Sequence, residues 1–406
     1  MEFGPCGAGG RPRPARRDGA RAARSPERAS FHSSGSNPTP FENLTDPRVE
    51  RTRRHELFDL VVVALCATIA GADSWADIER FGNERLTWLR TFLTLAYGIP
   101  SHDTFGRVFS RLDPAQLVAC IQQWLEEVGR EIGKHIAIDG KTLRGSFDKA
   151  AGKNPLHLVS AWACETRLTL GQVATDAKSN EITAIPLLLE LLDLKGATVT
   201  IDAMGCQKEI AKKIVDGEGD YLLALKDNHP KLSEAVAEEF TAALEAEIPP
   251  PGMRHHVTVE TNRGRQERRE YFALPAPRTL PGFADWASLA TIVMVIRTTL
   301  VGGRETGEVH YFLSSLPAKV KGLARRIRQH WSIESQLHWV LDVTFTEDAS
   351  RIRRGYAPQT SAMLRRLAVP ILSSDTSLKD NLRGKRYRAC LSTDTLEQIL
   401  LSFAEK

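Results

Sequence analysis

Two aspartates each follow a short apolar run that is typical of a buried strand. Asp139 comes directly after His135-Ile-Ala-Ile, and Asp202 comes directly after Ala197-Thr-Val-Thr-Ile. If the two strands are neighbours, both carboxylates lie at the same edge of a sheet, where open α/β sheets place their sites. Neighbouring carboxylates repel each other unless a cation neutralises them. The pair therefore predicts a divalent metal site. Taken singly, an aspartate at a strand end is also explained as the cap of a turn.

A third carboxylate is expected on a helix that the sequence predicts over Ala324–Leu341. Residues spaced by four fall on one face of such a helix. The polar members of this face are His330, Glu334, His338 and Asp342. Glu334 is the candidate for the third metal ligand, and Glu347 and Asp348 are the alternatives.

The chain around these residues divides into segments with different patterns. Residues 131–235 read as β-β-β-α-β-α-β, which predicts a mixed sheet with three antiparallel strands first and two parallel strands added through helices. Residues 236–320 alternate apolar and polar side chains and predict a β-rich insertion. Residues 321–406 return to a helical pattern and complete the core. Trp331 and Trp339 are expected to pack against other elements in this part.

The N-terminal segments differ from the α/β core. Residues 45–130 predict an all-α domain, with Ser74 as the N-cap of one of its helices. This domain is a candidate for binding DNA ends, and a plain helical packing domain is the alternative. Residues 1–44 predict a disordered basic arm, because the first forty residues hold seven arginines against three acidic residues. An upstream start codon would explain the same stretch without a structural role.

Composition and charge exclude several classes of protein. With 42% hydrophobic and 26% charged residues, the chain is neither wholly disordered nor collagen-like. No apolar run is long enough to cross a bilayer. The six cysteines lie far apart, which predicts scattered thiols in a reducing cytoplasm rather than disulfides or structural zinc. Residues 321–406 hold fifteen Lys/Arg against nine Asp/Glu and could dock on a polyanion.

Four motifs together resemble one known family. They are Ala137-Ile-Asp139-Gly-Lys-Thr-Leu-Arg-Gly-Ser146, Thr200-Ile-Asp202-Ala, Leu223-Ala-Leu-Lys226 and the long run from His330 to Asp348. They are similar to motifs of the ISAs1 insertion-sequence transposases, the group that includes the H-repeat-associated proteins, and the resemblance covers about residues 45–400. Ser335 stands where family members usually have Asn. The Arg and Lys of a related signature would fall on His330 and Leu341.

The resemblance implies a fold and an activity. The fold is α/β, with an RNase H-like (retroviral-integrase-like) mixed sheet that carries the β-rich insertion and follows an all-α N-terminal domain. The catalytic residues and metal ligands would be the DDE triad Asp139, Asp202 and Glu334, which would hold two Mg²⁺ ions, with Mn²⁺ as substitute. The activity would be cleavage of double-stranded DNA at the element's ends and transfer of the 3′-OH into target DNA. A homo-oligomer on the DNA, a cytoplasmic or nucleoid location and no membrane are expected.

Basic residues around the triad are expected to contact phosphates. They are Lys141, Arg144, Lys226, Arg325, Arg328, His338, Arg351, Arg353 and Arg354. Two other functions fit the same residues. One is an inactive or domesticated transposase that acts only as a DNA-binding protein. The other is a metal-dependent nuclease that cuts without joining.

Overall fold

The structure is a computed structural model, and it describes residues 40–128, 133–149, 152–175, 181–226, 228–262 and 264–404. Nine strands form one mixed sheet in the order β3-β2-β1-β4-β5-β9-β8-β7-β6. The strands are β1 His135–Leu143, β2 Leu156–Ala163, β3 Leu168–Ala174, β4 Thr198–Ile201, β5 Asp220–Leu225, β6 Arg254–Asn262, β7 Arg265–Pro275, β8 Thr291–Val301 and β9 Arg304–Ser314.

Thirteen α-helices accompany this sheet within the described ranges. They are α1 Leu57–Ile69, α2 Trp75–Glu84, α3 Leu86–Leu89, α4 His102–Phe109, α5 Pro114–Glu127, α6 Glu181–Glu190, α7 Lys208–Asp216, α8 Pro230–Glu245, α9 Val320–His330, α10 Trp339–Thr344, α11 Ala357–Ser374, α12 Leu382–Leu391 and α13 Thr393–Ala404. No helix in the described part of the chain is both long enough and apolar enough to span a membrane.

The first five strands have the connectivity that the sequence predicts. β1, β2 and β3 pair antiparallel, whereas β4 pairs parallel to β1 and β5 pairs parallel to β4. The apolar residues of these strands, such as Ile136, Ile138 and Val199, are almost fully buried. A short apolar strand covered on both faces is typical of parallel pairing with helical crossovers. The predicted α/β mixed sheet is therefore confirmed, and the fold is RNase H-like.

The insertion extends the same sheet. It begins with helix α8, and β6 to β9 then form an antiparallel meander in which β9 pairs with β5 from Leu222↔Ser314 to Leu225↔Tyr311. Helix α9 follows β9 and packs its buried Leu323, Ala324 and Ile327 on the sheet. The segment after the insertion is thereby brought back over the first strands.

The N-terminal helices pack on the C-terminal ones. Helix α1 is apolar along nearly its whole length and is buried, and it contacts α11, which also contacts β3. Helix α2 begins at a capping box in which the Ser74 and Asp77 side chains bond each other's backbone N–H groups. Most of the predicted arm 1–44 lies outside the described residues. At its end, Pro40–Asn43 forms a 3-10 turn and Leu44 is buried, so ordered structure begins before residue 45.

The segment predicted as a helix over Ala324–Leu341 is helical, but it is not a regular α-helix throughout. Helix α9 ends at His330, a π-helical turn covers Glu334–His338, and α10 starts at Trp339. A π turn is wider than an α turn by one residue and rotates every later side chain about the axis. The face that the four-residue spacing predicts is therefore split: His330 is buried, and Glu334 is exposed.

Candidate active site

Asp139 and Asp202 lie beside each other at the edge where β1 and β4 stop pairing. The last pair of the parallel ladder is Ile138↔Ile201, and the two aspartates are the next residues on each strand. β1 does not end at Asp139 as predicted, because it continues to Leu143 while paired with β2 alone. Asp202 ends its strand, and its side chain accepts a hydrogen bond of 3.1 Å from the Met204 N–H. Asp202 thus caps a turn as well as facing Asp139.

The pKa values of both aspartates are raised by burial and by neighbouring carboxylates. Burial raises the pKa of Asp139 to about 7, and the charges of Asp202, Glu181 and Glu334 add to this, whereas the Gly140 N–H opposes it. Burial also raises the pKa of Asp202, and Glu181 adds to that rise. Raised carboxyl pKa values in a cleft are typical of catalytic and metal-binding sites. A bound cation would remove this repulsion.

Glu334 is the third carboxylate that remains available at this site. It is the first residue of the π turn and lines a cavity of about 470 Å³ together with Asp202 and Lys226. The two alternatives are engaged elsewhere. Glu347 is fully buried, with its Oε1 2.8 Å from Nη1 of the equally buried Arg366. Asp348 forms ion pairs with Lys141 and Arg144. The geometry therefore favours Glu334 over both alternatives.

A fourth carboxylate, Glu181, reaches the same site and was not predicted from the sequence. It is the first described residue of α6, and its Oε1 lies 2.7 Å from Nε2 of His157 on β2. A Cβ on Gly140 would lie 2.1 Å from this Oε1 and 2.4 Å from that Nε2, so only glycine lets the pair approach β1 this closely. In the sequence, Glu181 looks like an ordinary acidic residue in the first turn of a helix.

The donor set fits a hard divalent cation in its chemistry. Mg²⁺ binds carboxylate oxygens and water rather than sulfur ligands, and the four acidic side chains supply only such oxygens. Within the described ranges, however, no three His, Cys, Asp or Glu side chains converge closely enough to hold an ion. The carboxylates would therefore have to draw together on binding, which their mutual repulsion opposes until the cation is present.

Two of the predicted phosphate contacts lie inside the protein. The Lys141 side chain is 8% exposed, with its Nζ 2.7 Å from Oδ1 of Asp342 and 3.4 Å from Oδ1 of Asp348. His338 lies with its Nδ1 3.4 Å from Oδ2 of Asp139. Burial lowers the pKa of His338 to about 3, and the charges of Arg366 and Lys141 lower it further. Both side chains are directed at carboxylates, and His338 is neutral at pH 7.

The other predicted phosphate contacts fall into two surface groups. Lys226 and Arg328 line the 470 Å³ cavity, and Arg325 is exposed on α9 three residues before Arg328. Arg328 already makes two hydrogen bonds of 3.0 Å to the Glu260 carboxylate. The second group is Arg351, Arg353 and Arg354, which line a cavity of about 510 Å³. Arg107 of helix α4, which was not among the predicted contacts, lines the same cavity.

Within the second group the arginines differ in what they contact. Arg353 donates from Nε to the carbonyl oxygen of Gly145 at 3.1 Å and stacks its guanidinium over the Phe147 ring at 4.9 Å. Arg351 and Arg354 are exposed. Arg144, near the first aspartate, is 82% exposed and forms its ion pair with Asp348 at 3.3 Å. Exposed arginines at a cavity rim are available to a polyanion, and the N-terminal helices contribute to the same rim.

An RNase H-like sheet with acidic residues just past the last β1–β4 pair, and a third acidic residue in a later helical segment, is the arrangement typical of the DDE class of transposases. Residues 131–369 match the family described as Transposase DDE domain, and residues 39–125 match the one described as DDE_Tnp_1-associated. The chain belongs to the Transposase DDE domain family. This confirms the resemblance to the insertion-sequence transposases.

Individual relatives agree with this assignment. The chain is 42% identical to a protein of Escherichia coli O157:H7 named "Putative transposase YncI" over 89% of this chain and 93% of that protein. It is 39% identical to "H repeat-associated putative transposase YhhI" of Escherichia coli K12 over 85% of this chain and 92% of that one. Among solved structures it is similar to a piggyBac transposase in a cryo-EM synaptic complex with hairpin DNA, at 11% identity and a TM-score of 0.38 over 88% of this chain and 75% of that chain.

Proposed function

We propose that this chain cleaves DNA at the ends of an insertion sequence and transfers the freed 3′-OH into target DNA. The observation that carries the proposal is the placement of Asp139 and Asp202 on adjacent residues past the last β1–β4 pair, with Glu334 facing the same region. Membership of the Transposase DDE domain family supports DNA as the substrate, and the proposed site has the carboxylates that such a reaction would require. A location in the cytoplasm, on the nucleoid, follows from that substrate.

The carboxylates are assigned to metal binding. Asp139, Asp202 and Glu334 would hold two Mg²⁺ ions, for which Mn²⁺ substitutes. When bound, the ions activate the attacking oxygen and stabilise the leaving 3′ oxygen of an in-line displacement. His338 is neutral and therefore orients Asp139 without cancelling the charge that attracts the cation. Lys141 holds Asp342 and Asp348 away from the ligand set through its two ion pairs.

Exposed basic residues are assigned to the DNA backbone. Lys226 lies at the end of β5 beside Asp202 and is placed to meet a phosphate near the bond that is cut. Arg325, Arg351 and Arg354 are exposed and would follow the duplex away from the site. Lysine and arginine contacts to phosphate release counterions, so binding should weaken steeply as salt rises. A homo-oligomer is proposed because two element ends have to be paired.

The proposal is tested with a plasmid that carries the gene's own flanking sequences. Wild type is compared with Asp202→Asn and with a matched control, Asp216→Asn, which changes an exposed aspartate on α7. We expect Mg²⁺-dependent cuts at the flanks and joined products with wild type and the control, and neither product with Asp202→Asn. Asp202→Asn should still bind the flanks, since its charge does not contact phosphate.

The same assay separates the two alternative functions. Cuts without joined products would identify a nuclease. Salt-sensitive binding without any cut by wild type would identify a DNA-binding protein that has lost catalysis. Equal cutting by wild type and Asp202→Asn would remove the carboxylate site from the mechanism altogether.

A further inference from the structure

Three buried polar side chains outside the metal site form a connected chain of hydrogen bonds. The hydroxyl Oγ1 of Thr200 lies 3.0 Å from Nε2 of His135 and 2.9 Å from Nδ1 of His330. The other ring nitrogen of His135, Nδ1, lies 3.4 Å from Oε1 of Gln329. His135 and Thr200 are 1% and 2% exposed, and His330 is 8% exposed. We call His135, Thr200 and His330 the histidine–threonine clamp.

The protons of the clamp can be arranged in one consistent direction. Burial lowers the pKa of His135 to about 3 and that of His330 to about 4, so both rings are neutral at pH 7 and each has one N–H and one acceptor nitrogen. Because Gln329 Oε1 accepts, Nδ1 of His135 carries the hydrogen and its Nε2 accepts from the Thr200 hydroxyl. Nδ1 of His330 must then donate to Thr200 Oγ1. The carbonyl oxygen of Ile136, at 3.4 Å, is a second and longer acceptor for the Thr200 hydroxyl.

Each member of the clamp lies a few residues before one of the proposed catalytic carboxylates in the sequence. His135 precedes Asp139 on β1, and Thr200 precedes Asp202 at the end of β4. His330 ends α9 and precedes Glu334, which opens the π turn. The clamp therefore joins the three elements whose relative placement sets the distances between the three carboxylates.

Hydrogen bonds such as that from Arg326 Nε to Thr198 Oγ1 at 3.1 Å also tie α9 to the sheet, but the clamp lies at the end of α9 that leads to Glu334. β1 and β4 are fixed to each other by their backbone ladder, whereas α9 lies on the sheet through side chains. Apolar packing of residues such as Leu323 and Ile327 has little directional preference and tolerates small shifts of a helix. A fully satisfied buried hydrogen-bond chain specifies a single arrangement, because any shift leaves a polar atom unpaired in the interior.

We propose that the histidine–threonine clamp positions Glu334 relative to Asp139 and Asp202, and that His330 is a positioning residue rather than a contact to DNA. The proposal rests on the function proposed above. The three side chains do not touch DNA or metal in this assignment. They act by holding the end of α9 against β4, and the wide turn then presents Glu334 at the site.

The decisive variant is Thr200→Val, which keeps the shape of the side chain and removes the hydroxyl. Thr200→Ser restores the hydroxyl and should restore function. The matched control is Thr169→Val, because Thr169 is a buried sheet threonine on β3 whose Oγ1 has no hydrogen-bond partner among the residues that the structure describes. Urea unfolding of all the variants identifies any that fail to fold.

Three readouts test the clamp. Mn²⁺ affinity of the DNA-free protein, measured by titration, should fall about 10- to 100-fold in Thr200→Val, as for other side chains that orient metal ligands. Single-turnover cleavage should fall by a similar factor while the Kd for DNA stays unchanged. Hydrogen exchange of the backbone amides in Glu334–His338 should become faster. Thr200→Ser and Thr169→Val should resemble wild type in all three.

The outcomes distinguish failure of the clamp from failure of the proposed function. If wild type does not cut DNA, the proposed function fails and the cleavage readout cannot be used. Hydrogen exchange in Glu334–His338 then still tests the clamp. Unchanged exchange in a folded Thr200→Val variant would overturn the clamp even if wild type cuts DNA. A Thr200→Ser variant as impaired as Thr200→Val would also overturn it, because the missing methyl group and not the hydroxyl would then be responsible.

Discussion

Replacing Asp139 with Asn should make the metal-free protein more stable at high pH. The pKa of this carboxyl is raised from 3.8 to about 7, first by burial and then by the neighbouring carboxylates. Between these values the folded protein holds a proton that the unfolded chain has lost, so the free energy of unfolding falls as pH rises from about 4 to about 7. The variant has no such proton and lacks this fall.

The magnitude follows from the size of the shift. A rise of about three pKa units at ~1.4 kcal/mol each corresponds to about 4 kcal/mol at pH 8, and to almost nothing at pH 3. Asp139→Asn should therefore unfold at a higher urea concentration than wild type at pH 8, and at a similar one at pH 3. Added Mg²⁺ should stabilise wild type more than the variant, because the variant lacks one of the proposed ligands.

A control with the opposite sign exists in the same chain. Burial of Asp46 opposes its ionisation, but hydrogen bonds from Arg48 outweigh this effect and lower the pKa of Asp46. Asp46→Asn should therefore lose stability at pH 8, and the loss should fade as the pH falls. If Asp139→Asn is less stable than wild type at pH 8, or if both proteins have the same pH profile, the raised pKa and the electrostatic account of the site are refuted.

Two further predictions concern charges away from the carboxylates. Glu347→Gln leaves the fully buried Arg366 without its counter-charge and should cost about 3–5 kcal/mol in the free energy of unfolding, measured with urea, while Kd for DNA changes little. A loss below about 1 kcal/mol would mean that water reaches this pair. Arg354→Gln should weaken binding to all DNA sequences and lower the slope of log K against log salt by about one. Arg328→Gln should change that slope less, since Arg328 is already paired with Glu260. Equal slopes for the two variants would contradict this assignment.

The part of the site that the sequence predicts depends on local rules. The apolar runs before Asp139 and Asp202 are separated by β2, β3 and helix α6, and this connectivity places the first and fourth strands side by side and parallel. Once the strands are adjacent, the two aspartates have to lie together. This reasoning needs only strand length and connectivity, and both can be recognised in a single sequence.

The parts that the sequence did not predict depend on contacts between distant segments. The π turn at Glu334–His338 replaces a regular helix. Trp331 and Trp339 on either side of it are 47% and 59% exposed, although the helical pattern predicts that they are packed. Glu181 reaches the site because of where α6 lies on the sheet, which no local pattern encodes. Lys141 follows an aspartate in a polar run and looks exposed, but its burial results from carboxylates some 200 residues later.

Because the sheet is continuous, the strands of the insertion lie at a fixed distance from the strands that precede the carboxylates. Because β9 pairs with β5, the meander belongs to the same hydrogen-bonded sheet as β1 and β4, which carry or precede the two aspartates. β7 lies four strand spacings from β4, which amounts to about 19 Å at ~4.8 Å per spacing. The distance between Asp202 and any object held by β7 is therefore set by counting strands. To change that distance, evolution would have to add or remove a strand rather than lengthen a loop.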